Sequence, residues 1–357
     1  MATITVTVRL FASLRRFQPK GAAGPISLEL PSGAAVRDAV GALGIPEQNA
    51  GIVVCNDVHL ELGTPLQDGA EVSIFPPLAG GAGAADEVAR LQPIARRLRE
   101  HVIRMITAAG SGHPGGSLSA TEIVTALFFH TLRRRPGDAT WPDRDRFVIS
   151  KGHGVPIVYA ALAEAGELPV EELQSLRKLG SRLQGHPDRV VLPWVEAATG
   201  SLGQGLSLAL GMALASGLDG NRYRVFCLLG DGETQSGQVW EAAMAAGKYR
   251  PANLVAILDY NKVQLDGPIV EIMDPEPLAD KWRSFNWHVK VLADGNDLRQ
   301  VLDALDEAGR GGGPWMIIAN TVKGKGVSFM EGKAAWHGKA PTAEEAQRAL
   351  EEIARHG

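Results

Sequence analysis

Two apolar runs with one helix-length segment between them constrain this chain more than any other feature. Val225-Phe226-Cys227-Leu228-Leu229 breaks abruptly at Gly230-Asp231-Gly232. A helical pattern follows through Lys248, with Val239, Trp240, Ala243 and Met244 recurring on one face. The second run, Leu254-Val255-Ala256-Ile257-Leu258, leads into Asp259-Tyr260-Asn261-Lys262-Val263. Strand, tight turn, helix and strand make a parallel crossover unit. Such units hold ligands at the carboxyl ends of their strands, so Asp231 and Asn261 are expected at one edge of one sheet.

A carboxylate, an amide oxygen and a backbone carbonyl suit a hard cation, leaving magnesium open positions for phosphate and water. Gly230 and Gly232 let a diphosphate approach the backbone, and the following helix offers it free N–H groups. Taken alone, Gly-Asp-Gly is more often an ordinary strand-end turn with an incidental aspartate. Asn261 at the end of the next strand strengthens the ligand reading.

Gly230-Asp231-Gly232 followed about thirty residues later by Asn261 resembles the thiamine diphosphate fingerprint. Further motifs extend the resemblance from about residue 91 to the C-terminus. They are Ser111-Gly112-His113-Pro114-Gly115, Lys151-Gly152-His153-Gly154, Gly185-His186-Pro187, Thr199-Gly200-Ser201-Leu202-Gly203 and Trp336-His337-Gly338-Lys339. Together they are similar to the transketolase family, in particular the N-terminal subunit of its split, two-chain form. A single histidine in such a loop is more often structural or solvated; four in the family's loops and order imply a shared site.

The resemblance implies thiamine diphosphate and Mg2+ as cofactors, with Asp231, Asn261 and the carbonyl of Val263 as metal ligands. It implies cofactor contacts from His153, Gly200, Ser201, Leu202, Gly230, Asp231, Gly232, Asn261 and His337. It gives His113, His186 and His337 the catalytic roles: orienting substrate hydroxyls, carrying protons and reaching the substrate. One departure stands out. Ser236 replaces a glutamate of the family's carboxylate network, while Glu241 remains; cofactor binding is expected to survive and communication between sites to change.

Residues 1–81 read as a separate unit. Ile4, Val6, Val8 and Leu10 alternate along a first strand, and residues 26–30 form a second. A short helical stripe carries Val36, Ala39, Val40 and Leu43, and runs 52–55 and 72–75 supply more strands. That is a β-grasp pattern. The segments Val8-Arg9-Leu10-Phe11-Ala12-Ser13-Leu14 and Asp68-Gly69-Ala70-Glu71-Val72, and the ending Phe75-Pro76-Pro77-Leu78-Ala79-Gly80-Gly81, resemble the MoaD/ThiS-like sulfur carriers. Those act through a terminal Gly-Gly carboxylate converted to a thiocarboxylate. Here the chain continues, so the resemblance leaves a docking module and a processed carrier both open.

The expected architecture is therefore an α+β β-grasp domain (1–81), a small-residue linker (82–88) and an α/β thiamine diphosphate-binding domain (89–357) with a parallel sheet flanked by helices. The helix after the linker is expected from residue 86, with Pro93 in its first turn. A single apolar helix is expected over 118–132.

The resemblance implies that the pyrimidine-binding domain is missing. A partner chain, two copies of each, and sites completed at their contact are expected. The substrate is expected to be a sugar or sugar phosphate. An adenylating or sulfur-transfer enzyme is the corresponding partner for a working β-grasp carrier. A scaffold or adaptor protein and an acyloin-forming synthase are the competing readings. The net charge of −4 argues against a nucleic-acid footprint. The charge-free run 197–218 is interrupted by glycines and serines, so it reads as a turn and a buried helix, not a membrane span. Two distant cysteines, Cys55 and Cys227, fit a reducing compartment and a cytoplasmic location.

Overall fold

The computed structural model describes residues 2–10, 14, 17–19, 24–47, 50, 52–55, 58–75 and 83–356. The chain divides into two units, 1–86 and 87–357. In the first, alternation sets the layout. Strand β1 (Thr3–Leu10) buries Ile4, Val6, Val8 and Leu10 and exposes Thr3, Thr5 and Arg9. It is followed by β2 (Ile26–Pro31), helix α1 (Val36–Ala42), β3 (Ile52–Cys55), β4 (Val58–Leu60) and β5 (Glu71–Phe75). The sheet order is β2-β1-β5-β3-β4, with β5 parallel to β1 and the other pairs antiparallel. Val36, Ala39 and Val40 of α1 share one core with Val6, Val8, Val72 and Ile74. This is the β-grasp arrangement. Three-residue β4 escaped the sequence reading because so short a run shows no period. The Gly80-Gly81 pair lies outside the described residues.

Helix α2 (Gly83–Ala109) begins earlier than expected, so the small-residue stretch is helical from Gly83 onward. Pro93 lies well inside it, not in a first turn. A proline there removes one backbone hydrogen bond, at a cost of about 3 kcal/mol. Burial of Leu91, Leu98, Val102 and Met105 offsets it.

The expected 118–132 helix is instead α3 (Pro114–Ser119), α4 (Thr121–Ala126) and a π-helical turn at Leu127–Thr131. Pro114 suits the first helical position. The break at Ala120 coincides with side-chain competition for the backbone: Thr121 Oγ1 donates to the Leu118 carbonyl (2.9 Å).

The remaining elements are β6 (Arg146–Ile149), α5 (Pro156–Glu164), α6 (Gln204–Leu218), β7 (Val225–Gly230), α7 (Gly237–Tyr249), β8 (Leu254–Tyr260), α8 (Ile269–Met273), α9 (Leu278–Ser284), β9 (His288–Leu292), α10 (Leu298–Glu307), β10 (Trp315–Asn320) and α11 (Ala343–His356). The five strands form one parallel sheet, β6-β7-β8-β10-β9. Both faces are covered, which is why β7 and β8 read as unbroken apolar runs. Phe226, Leu228, Val255 and Ile257 face a layer containing α2, α4, α5 and α10. Val225, Cys227, Leu229, Ala256 and Leu258 face α6, α7 and α9. On α7 the buried stripe is Val239, Ala242, Ala243 and Ala246; Met244, expected inside, is 59% exposed. Thr342 caps α11 reciprocally with Glu345 (Thr342 N to Glu345 Oε2 2.8 Å, Glu345 N to Thr342 Oγ1 3.1 Å). No helix among the described residues is long and apolar enough to cross a membrane.

Candidate active site

Parallel strands deliver their carboxyl ends to one edge, and a cleft of about 380 Å³ opens there. Gly230, Asp231 and Gly232 enter it from the end of β7, and Asn261 and Val263 from the end of β8. His153 arrives on the short 3-10 turn after β6. His113 precedes α3, His186 comes from the loop after α5, and His337 follows the 3-10 turn Ala334–Trp336. The four imidazoles line the same cleft. Ring centroids lie 5.2 Å apart for His113 and His153, 5.6 Å for His113 and His337, 5.0 Å for His153 and His337, and 6.5 Å for His113 and His186.

These rings are held neutral. Burial, then the guanidinium of Arg177, pushes His113 down to about 4. Burial and the Lys323 ammonium push His337 to about 3. His153 falls well below its usual range through burial and Lys151, and His186 is lowered by burial and Arg177. A neutral imidazole offers one donor and one acceptor, which suits it to holding or passing a proton. Around them stand cations, so an arriving anion would relieve the repulsion that depresses them.

The acidic wall has its own logic. Asp231 accepts from the backbone N–H of Gly232 (2.7 Å) and from that of Lys262. Burial and the neighbouring charge of Asp259 raise it to about 6. A buried carboxylate so placed is short of positive charge. Asn261 Oδ1 accepts from Val263 N (3.2 Å), and its Nδ2 donates to Asp259 (3.1 Å). The Val263 carbonyl accepts from Lys323 Nζ (2.7 Å), which also meets His337 Nδ1 at 2.8 Å. Burial lowers Lys323 to about 8.

Close backbone approach shapes the rest. A Cβ on Gly152 would lie 2.5 Å from the Thr199 carbonyl oxygen, and one on Gly200 (φ +147°) 2.8 Å from the His186 ring. The 199–203 loop is therefore pressed against the turn that carries His153. Glu233 fastens it from the other side, accepting from Gly203 N (2.8 Å), Gly230 N (3.1 Å) and Ser150 Oγ. Ser236 packs against Gly203, where an added Cβ would come within 2.5 Å of its Oγ.

Of the residues singled out from sequence, His113, His153, His186, Gly200, Leu202, Gly230, Asp231, Gly232, Asn261, Val263 and His337 line the cleft. Ser201 is exposed and is not part of the lining. Lys151, Glu233 and Lys323 line it too and were missed. Lys151 opens the motif that carries His153, Glu233 directly follows Gly232, and Lys323 lies in the loop after β10. A buried lysine carries no sequence signal until its partners are known.

Residues 91–354 match the family described as transketolase, thiamine diphosphate binding domain, and residues 8–81 match the ThiS family. The chain is 46% identical over 268 residues to a 6-deoxy-6-sulfo-D-fructose transketolase subunit of Clostridium sp. (strain MSTE9), covering 75% of this chain and 97% of that protein. It is 42% identical to an apulose-4-phosphate transketolase subunit of Actinobacillus succinogenes, covering 71% and 92%. A solved transketolase from Campylobacter jejuni superposes with a TM-score of 0.70 at 33% identity, over 74% of this chain and 42% of that one. A transketolase variant from Pichia stipitis gives 0.71 at 31%, over 74% and 40%. The chain thus spans about two fifths of the solved structures it matches.

Proposed function

The chain belongs to the transketolase family, through its thiamine diphosphate-binding domain, and on that premise we propose that it is the diphosphate-binding subunit of a magnesium-dependent ketol transferase. The reaction moves a two-carbon ketol unit from a ketose or ketose phosphate to an aldose. The observation that carries the proposal is the meeting of four neutral histidines with Asp231, Asn261 and Val263 in one cleft.

The residues fit the cofactors. Among the described residues no group of three His, Cys, Asp or Glu side chains could hold a metal alone. The available set is one carboxylate, one amide oxygen and one carbonyl, which suits Mg2+ completed by phosphate and water. In the proposal Asp231, Asn261 and Val263 hold the cation. His153 and His337 hold phosphate oxygens beside the bare backbone of Gly230 and Gly232. When bound, thiamine diphosphate supplies an electron sink for the two-carbon unit. His113 and His186 orient the donor's hydroxyls, and their neutral rings accept and return protons at those oxygens.

The glutamate that protonates the cofactor's pyrimidine belongs, in this reading, to a partner chain, with two copies of each subunit and the site closed between them. Two relatives that this chain covers almost end to end carry the word subunit in their names, which supports it. Those names also set the donors to try: a sulfonated ketose and a sugar phosphate. We place the assembly in the cytoplasm.

The test is to combine this chain with its partner, thiamine diphosphate and magnesium, supply each donor with an aldose acceptor, and identify products by mass. Two-carbon transfer is expected only with both chains present and should vanish in Asp231→Ala. Transfer by the chain alone at the rate of the pair would refute the subunit reading; acyloin products would refute the ketol transferase.

The match over residues 8–81 favours a second role for the first unit, as a sulfur carrier that meets an adenylating or sulfur-transfer enzyme. Intact mass after co-expression with neighbouring genes decides it. A fragment ending at Gly81 with sulfur in place of one oxygen supports a carrier, whereas a single full-length species leaves a docking module.

A further inference from the structure

Asp259 has no exposure to solvent and does not line the cleft. It stands near the end of β8, two residues before Asn261. Four side chains donate to its carboxylate: Ser119 Oγ (2.6 Å) from α3, Asn261 Nδ2 (3.1 Å), Lys151 Nζ from the turn after β6, and Thr321 Oγ1 from the loop after β10. Lys151 also donates to the Gly116 carbonyl (2.7 Å). Every one of these partners gives Asp259 a hydrogen and one of them is the Lys151 ammonium, so the carboxylate is left with accepting roles only.

An ionised carboxylate can only accept, whereas an amide has one accepting end and one donating end. Asp259 therefore takes the amino end of Asn261 and excludes its oxygen. Oδ1 is turned away, to the side where Val263 N reaches it at 3.2 Å. With the opposite rotamer, the amino group would point where a cation must be met. The same carboxylate holds the Lys151 ammonium, which does line the cleft.

We infer that Asp259 is a positioning residue that decides which end of the Asn261 amide faces the cation site and anchors Lys151 at the wall of the cleft. The inference deepens the proposed function and rests on it. It yields a result that bulk or packing effects would not: a carboxylate at 261 has two equivalent oxygens and no wrong end, so it needs no orienting.

The experiment titrates magnesium into the full chain with thiamine diphosphate present and follows binding by tryptophan fluorescence, with no turnover involved. Asp259→Asn is expected to raise half-saturating magnesium by about 10- to 100-fold, as loss of an outer partner of a metal ligand does. In an Asn261→Asp background the same change should cost far less, only what loosening Lys151 costs, since no amide end remains to be chosen. An equal loss in both backgrounds, or no loss in the first, overturns the inference. Should Asp259→Asn fail to fold, Thr321→Val removes one donor from Asp259 while keeping its charge. It should weaken magnesium binding with Asn at 261 and not with Asp, and an equal effect in both overturns the inference. Absence of magnesium-dependent binding even with the partner chain present would instead sink the parent reading, and this inference with it.

Discussion

At the scale of single residues, the cleft is set by what is missing as much as by what is present. Gly152 touches backbone: an added Cβ would sit 2.5 Å from the Thr199 oxygen, 2.6 Å from its carbon and 2.8 Å from Gly200 N. Thr199 is itself tied to the Ile149 carbonyl by its hydroxyl (2.6 Å). Neither loop has a flexible side chain at the contact that could swing aside. Gly152→Ala is therefore expected to destabilise the second unit by about 1–3 kcal/mol, the usual cost of overpacking, and to weaken cofactor binding. Gly211 on α6 has nothing within 4 Å of its added Cβ; Gly211→Ala should be neutral or stabilising by about 0.5–1 kcal/mol. Denaturant midpoints of the two variants check the contrast. The histidines were legible in the sequence because each sits in a glycine- or proline-marked loop that matches a motif. Asp259 and Lys323 were not. Three of the four partners of Asp259 lie 140, 108 and 62 residues away, at Ser119, Lys151 and Thr321, and no local pattern encodes them.

At the scale of elements, the buried parallel strands were the most legible, because covering both faces of a sheet leaves a continuous apolar run. Helix boundaries were less so. The break at Ala120 goes with Thr121 bonding back to the helix while Ser119 bonds to Asp259 instead, choices their side chains make only in context. Helix α2 started early because a proline that looks like a first-turn residue can be carried by a well-buried stripe. That makes Pro93 a removable cost. It is exposed, so replacing it sacrifices no burial. Pro93→Ala restores an N–H within reach of the Ala89 carbonyl and removes the ring's clash with it. The expected gain is about 1–3 kcal/mol, read as a higher melting temperature of the second unit. No change there would mean that α2 is already distorted enough around Pro93 to have absorbed the cost.

At the scale of the whole molecule, protons and cofactor are expected to act on one unit and leave the other alone. Free imidazole titrates near 6.5, but His113 and His337 are pushed to about 4 and about 3, with His153 and His186 also lowered. Below about 6.5 the unfolded chain binds protons that the folded chain refuses. Stability that is full above that pH is therefore lost as pH falls toward 4 and then 3. His130 and Asp231 run the other way. Hydrogen bonding to Asp306, then Glu87, raises His130, and burial raises Asp231 to about 6, so their contributions are present in acid and lost as pH rises through the raised values, against four depressed imidazoles. With more depressed rings than raised ones, the second unit is expected to be acid-labile. Bound diphosphate should blunt that lability by favouring protonated histidines. None of the histidines just named belongs to the first unit. Calorimetry of the full chain should accordingly show two transitions. Thiamine diphosphate with magnesium at a hundredfold excess over Kd should add about 2.7 kcal/mol to one of them and move it up by several degrees, leaving the other in place. Lowering the pH from 7 to 5 should move that same transition down, and by less when the cofactor is present. If both transitions shift together under either treatment, the β-grasp unit is energetically coupled to the cofactor site and is no passive appendage. If cofactor fails to lessen the acid shift, the histidines do not face the diphosphate.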